Sequence, residues 1–99
     1  MLVVHSRLVV SGAGRARFDN IVGELIAGSR AEPGCGSYRL YESQETPGEV
    51  IFVEEWTSRQ ALDEHFTTRH FTTFMDALPG MLAAPGHLRV FEVRSFTDE

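Results

Sequence analysis

VIFVEEWTSRQALDEHFTTRHF, residues 50–71, changes its hydrophobic period part-way along, and that change decides the fold. Val50, Ile51, Phe52 and Val53 bring the β-branched and aromatic bulk of a strand. The strand alternates Val50, Phe52, Glu54 and Trp56 against Ile51, Val53 and Glu55, and Trp56 closes it. Thr57 or Ser58 then supplies a helix cap. Beyond it Ala61, Leu62, His65 and Phe66 follow the three-four spacing of one helical face. Strand and helix together carry Trp56 and His65 toward one shared space. Thr67 and Thr68 break or bend the helix, and Phe71, Phe74, Met75 and Leu78 resume its apolar stripe.

Upstream, residues 2–10 read as a strand with Leu2, Val4, Ser6, Leu8 and Val10 on one face and Val3, His5, Arg7 and Val9 on the other. Both faces are substantially apolar, which fits a strand packed on each side. Ser11–Gly14 is a turn, and residues 15–30 form an amphipathic helix with a stripe of Phe18, Ile21, Val22, Leu25, Ile26 and Ser29. Pro33-Gly34 ends it. A second strand spans roughly Gly36 to Ser43, and Pro47-Gly48 turns the chain into the third. Downstream, Pro79-Gly80 ends the second helical region and Met81–Ala84 makes a short extra turn. His87–Phe96 is the last strand.

Strand, helix, strand, strand, helix, strand is the split βαβ, or ferredoxin-like, order of an α+β fold, an antiparallel sheet with both helices on one face. The other sheet face still carries bulky apolar side chains, and 99 residues leave no third layer to cover them. Pairing with a second copy, sheet against sheet, is the simplest cover, so we expect a homodimer.

Residues 1–99 suit one domain. Formal charge is −5, with scattered basic residues, so no basic face offers itself to nucleic acid. No apolar run reaches the ~20 residues of a membrane helix, and the N-terminus lacks a signal peptide's pattern. Cys35 is the only cysteine and closes no internal disulfide, so the expected location is the cytoplasm. The four histidines have no ligand-like companions at the usual spacings, so no metal site is expected.

Glu32–Cys35 (EPGC) followed by Tyr38, Val53–Trp56 (VEEW) and Ala61–Phe71 (ALDEHFTTRHF) resembles, in this order, the antibiotic biosynthesis monooxygenase or quinol monooxygenase-like family. Its most specific part is the Glu-x-Trp of the third strand, with His65 nine positions on and His70 five beyond. The resemblance implies a βαββαβ unit dimerising into a barrel of two sheets, with a cavity between each subunit's sheet and helices. It also implies oxidation of a quinol or aromatic polyketide-type phenol by molecular oxygen, with no cofactor. Haem-degrading relatives use an asparagine, a tryptophan and a histidine. Here no asparagine stands in the first strand, His65 falls at the tryptophan position and Met75 at the axial-histidine position. A branch that isomerises a phosphorylated signalling sugar shares a histidine pair spaced like His65 and His70. A non-catalytic binding or stress-response dimer is the other alternative.

Within this resemblance His65 is the candidate catalytic residue. A hydroquinone loses a proton near pH 10, like tyrosine, so a histidine base is wanted to expose the electron-rich anion to oxygen. The other reading of His65 is a core histidine satisfied by a backbone carbonyl. Trp56 is the candidate flat wall for an aromatic substrate, its indole N–H a donor. Phe52, Phe66 and Phe74 would line an aromatic pocket or form a phenylalanine-rich core. His70 lines the site or caps the helix break. Arg7 either stabilises a phenolate or superoxide in the cavity or sits with His5 at the dimer interface. Glu54 and Glu55 point to opposite faces and are no carboxylate pair. Cys35 reads as a small buried residue.

Overall fold

The computed structural model describes residues 1–99. Four strands, β1 (Leu2–Val9), β2 (Cys35–Glu42), β3 (Glu49–Trp56) and β4 (His87–Glu92), form one antiparallel sheet in the order β2-β3-β1-β4. Three helices, α1 (Arg15–Arg30), α2 (Arg59–His65) and α3 (Arg69–Ala77), supply the second layer, and a 3₁₀ turn at Leu78–Gly80 follows. This is the expected ferredoxin-like α+β fold. No helix is long and apolar enough to cross a membrane.

Register explains which sheet face becomes the core. Leu2 pairs with Trp56, Val4 with Glu54, Ser6 with Phe52 and Leu8 with Val50, so these side chains share a face. That face is buried under Phe18, Val22 and Leu25 of α1, Leu62 of α2 and Phe74 of α3. Large apolar side chains so placed each contribute about 1.5–3 kcal/mol. On the other face lie Val3, His5, Arg7 and Val9 of β1 with Ile51 and Val53 of β3. Tyr41 and Phe91 share it and are 50% and 39% exposed.

Three expected boundaries shift. The last strand ends at Glu92 rather than Phe96, because β1 begins at Leu2, the partner of Glu92, and beyond it only Val93 N–H finds an acceptor, Met1 O. The second strand starts at Cys35, with an irregular step between Cys35 and Ser37. The anticipated break becomes two separate helices: Thr68 Oγ1 accepts from Phe71 N–H and donates to His65 C=O, ending α2 and capping α3.

The β2–β3 hairpin depends on Gly48, with φ at +88°, the left-handed region. Its carbonyl accepts from Val10 N–H at 2.8 Å, and a Cβ there would lie 2.8 Å from Val10 O. Gly48→Ala is expected to destabilise the fold by about 1–3 kcal/mol, read as a lower urea midpoint at unchanged m-value.

Candidate active site

The site is built where β3 ends and the helical layer breaks. Ser58 caps α2, its Oγ accepting from Ala61 N–H, and the helical period from there turns Leu62 and His65 inward. The His65 side chain is 1% exposed. Its ring lies 4.5 Å from the Trp56 ring at 38°, with Tyr38, Phe66 and Phe71 also in ring contact. Burial pushes the imidazole pKa below its ordinary value. A hydrogen bond to Glu32 and that residue's charge oppose the shift, while nearby His70 reinforces it. At neutral pH the ring is therefore uncharged, with Nδ1–H donating to Glu32 and Nε2 left as the basic nitrogen.

Glu32 stands in the turn between α1 and β2, where Pro33-Gly34 bends the chain. One of its oxygens, Oε2, lies 2.7 Å from His65 Nδ1 and 2.7 Å from His70 Nε2. The His70 ring fits against α1 because residue 28 is glycine: a Cβ there would lie 2.6 Å from the ring. These three residues are the one cluster whose donor atoms, all within 4.8 Å of one another, suit a metal ion. They already satisfy one another, so an ion would have to replace both hydrogen bonds. The expectation of no companion for the histidines missed Glu32, which lies more than 30 positions away in the chain.

A second carboxyl lies deeper. Glu54 is 3% exposed, and its Oε1 accepts from Trp56 Nε1 at 2.9 Å. Burial is the main force raising its pKa to about 7; the indole hydrogen bond lowers it, and the Glu32 charge raises it further. Glu54, His65 and Tyr38 border an internal cavity of about 30 Å³, the volume of about one water. Apolar side chains from Leu8, Leu25, Phe52, Phe74 and Leu78 complete its inner wall. On the outer side stand half-buried Phe66 and Phe71 with exposed Met75 and Leu88. A separate open groove of about 620 Å³ runs along α1 and α3, with Arg17, Glu24, Arg69, His70 and Asp76 among its walls.

Residues 1–77 match the family profile described as antibiotic biosynthesis monooxygenase. The chain belongs to this family. It is similar to Rv0793 of Mycobacterium tuberculosis, named as a candidate monooxygenase, with 33% identity over 85% of this chain and 82% of that protein. The solved structure of Rv0793 aligns at TM-score 0.90 and 30% identity, covering 98% of each chain. A crystal structure of an antibiotic biosynthesis monooxygenase aligns at TM-score 0.89 and 29% identity, over 96% of this chain and all of that one. A Synechocystis relative, sll1783, is 34% identical over 93% of this chain, which spans 63% of that relative's length.

In this member of the antibiotic biosynthesis monooxygenase family, the residues singled out from sequence separate into three places. His65, Phe52, Phe66 and Phe74 border the internal cavity. Trp56 does not: it backs His65 from behind, and its N–H is committed to Glu54, which corrects its reading as a wall and donor for substrate. The one space that Trp56 and His65 were expected to share is not shared: their rings pack together, and only His65 borders the cavity. His70 belongs to the α1–α3 groove and meets His65 through the shared Glu32 oxygen and across a ring separation of 6.0 Å. Arg7 is exposed on the outer sheet face beside Tyr41, Glu42 and Glu49, away from the helices, because odd-numbered β1 residues point outward. Cys35 is half-buried, its thiol pushed up to about 11, mainly by burial.

Glu54 ties stability to pH. Its folded pKa lies near 7 against an ordinary 4.5, so the fold favours the protonated acid. That stabilisation is complete below pH 4.5 and is lost as pH rises through 7, an amount of roughly 3 kcal/mol. His65 acts in the opposite sense, losing stability as pH falls below 6.5. Glu54→Gln removes only the first effect. The stability of the variant relative to the wild type should therefore rise by roughly 3 kcal/mol between pH 4.5 and 8, measured by urea unfolding across that range.

Proposed function

We propose that this chain, acting as one domain over residues 1–99, is a cofactor-independent monooxygenase that oxidises a quinol or aromatic polyketide-type phenol with molecular oxygen. The observation that carries the reading is His65: a buried neutral imidazole with Nδ1 fixed by Glu32, bordering the cavity between sheet and helices. Its Nε2 takes the substrate's acidic proton, from the O–H of a quinol or from the ring CH₂ of an anthrone, and Glu32 stabilises the imidazolium that forms. The resulting anion donates the first electron to oxygen. One oxygen atom enters the substrate and the other leaves as water, so the ring CH₂ of an anthrone becomes a carbonyl, or a hydroquinone becomes a hydroxyquinone, with no external reductant. An aromatic ring is too large for the present void and enters by displacing Phe66, Phe71 and Met75 on its outer side.

Oxygen uptake with a panel of hydroquinones and anthrones tests this. Turnover by the wild type is expected, with His65→Ala lowering kcat by about 10²–10⁴-fold. Undiminished turnover by that variant would remove His65 from its role. Isomerisation of a small phosphorylated sugar would draw on Arg17 and Arg69 beside His70 in the α1–α3 groove. Glu24 and Asp76 line the same groove, however, and balance that positive charge.

The working unit we propose is a homodimer in the cytoplasm, formed through the outer sheet face where Val3, Ile51, Val53 and Phe91 are incompletely covered. Sedimentation equilibrium should give twice the 11.1 kDa chain mass, and Val53→Asp should shift it to the monomer.

A further inference from the structure

Glu54 sits on the most completely buried stretch of the sheet, between Phe52 and Trp56, with Val4 directly opposite on β1. Nothing structural accounts for a carboxyl there. It forms no salt bridge, and its one hydrogen bond, from the Trp56 indole, would be made equally well by an amide. A buried carboxyl with so little compensation costs stability that an apolar side chain would not. What distinguishes the position is its place: Glu54 and His65 border the same cavity, and one tryptophan serves both, its N–H on Glu54 and its ring face on His65. We propose that Glu54 is the acid partner of His65, a second catalytic residue that protonates the oxygen destined to leave as water. This rests on the monooxygenase reading above and deepens it.

With such a group the proton count closes without His65 having to serve the peroxide as well. For a ring carbon bearing two hydrogens, His65 Nε2 takes the first proton. The anion passes one electron to dioxygen, and the radical pair joins as C–O–O⁻. Protonated Glu54 gives its proton to the distal oxygen, making C–O–OH. The carboxylate so formed then takes the remaining C–H proton as the C–H electrons form C=O and the O–O bond breaks, releasing hydroxide. The His65 imidazolium protonates that hydroxide to water. Both residues end as they began, and the sum is CH₂ + O₂ → C=O + H₂O. A carboxyl at its ordinary pKa would be ionised at neutral pH and could not begin this cycle; one raised to about 7 by burial is available in both forms.

The groups around Glu54 set the direction of its pH dependence. Tyr38 and Cys35 reach it from β2, Glu32 from the turn, His65 from α2 and Trp56 from its own strand. β1 adds Val4 and the Ser6 hydroxyl, while α1, α3 and β4 offer only Leu25, Phe71, Phe74, Met75 and Leu88 at the cavity. No cation pairs with it. The acid form is therefore lost as pH rises through about 7, and turnover should fall with it.

The pH profile of kcat/KM for oxygen uptake tests this. The wild type should show a basic limb with an apparent pKa near 7. Glu54→Gln, which keeps an acceptor for the Trp56 indole, should lose that limb and fall about 10²–10⁴-fold; Glu54→Asp should restore the limb at reduced rate. An independent readout needs no turnover: an infrared protonated-carboxyl band that titrates near pH 7 and is absent in Glu54→Gln. Absence of that band from the wild type, or a basic limb that persists in Glu54→Gln, would overturn the assignment and leave the role of His65 intact. No oxygen uptake by the wild type with any quinol or anthrone would bring down both.

Discussion

One carboxylate oxygen, Glu32 Oε2, holds two imidazoles from two different helices, and the site depends on that shared bond. It ties the turn before β2 to the end of α2 and the start of α3. On an unbroken helix His65 and His70, five residues apart, would point about 140° away from each other. Thr68 ends one helix and caps the next, and the change of direction lets both rings reach the same atom. Charge-assisted hydrogen bonds of this kind are stronger than neutral ones. Losing the acceptor would leave the buried His65 N–H unpaired, at about 1–3 kcal/mol.

Trp56 organises the other half of the site. It belongs to the core by burial, yet its two chemically distinct parts serve separate partners: the indole N–H meets Glu54, and the ring lies on His65. The same arrangement places two titratable groups in apolar surroundings that shift them in different ways. Burial makes the imidazole a weaker base and the carboxyl a weaker acid, so both are neutral over an overlapping range of pH. An enzyme that moves protons in and out of a substrate during one turnover can use such a pair. The cost is borne by a core face that contains a carboxyl and an imidazole where aliphatic side chains would pack more stably.

Leu25 and Phe74 border both the α1–α3 groove and the internal cavity. His70 faces the first, and His65 borders the second. Gly28 allows this geometry by leaving room on α1 for the His70 ring. Membership of the antibiotic biosynthesis monooxygenase family gives the scaffold, and Phe66, Phe71, Met75 and Leu88 stand on the outer side of the small cavity.

Much of the architecture was legible in the sequence because local periodicity carries it. The shift from alternation to three-four spacing after Trp56, the Ser58 cap and the break at Thr67–Thr68 are all short-range signals, and α1 and β3 fall within one residue of their expected bounds. Alternation alone also separated Glu54 from Glu55 and put Arg7 on the face opposite Leu8. It could not say which face the helices would cover, and so left Arg7 with two readings until the register was known. Glu32 and the raised pKa of Glu54 were beyond reach for a related reason. A carboxylate paired with histidines more than 30 residues away, and an acid whose strength is set by burial on every side, are properties of three-dimensional neighbours. Sequence by itself determined the elements; tertiary structure decided which side chains meet, because only packing brings distant groups within hydrogen-bond range and removes the water between them.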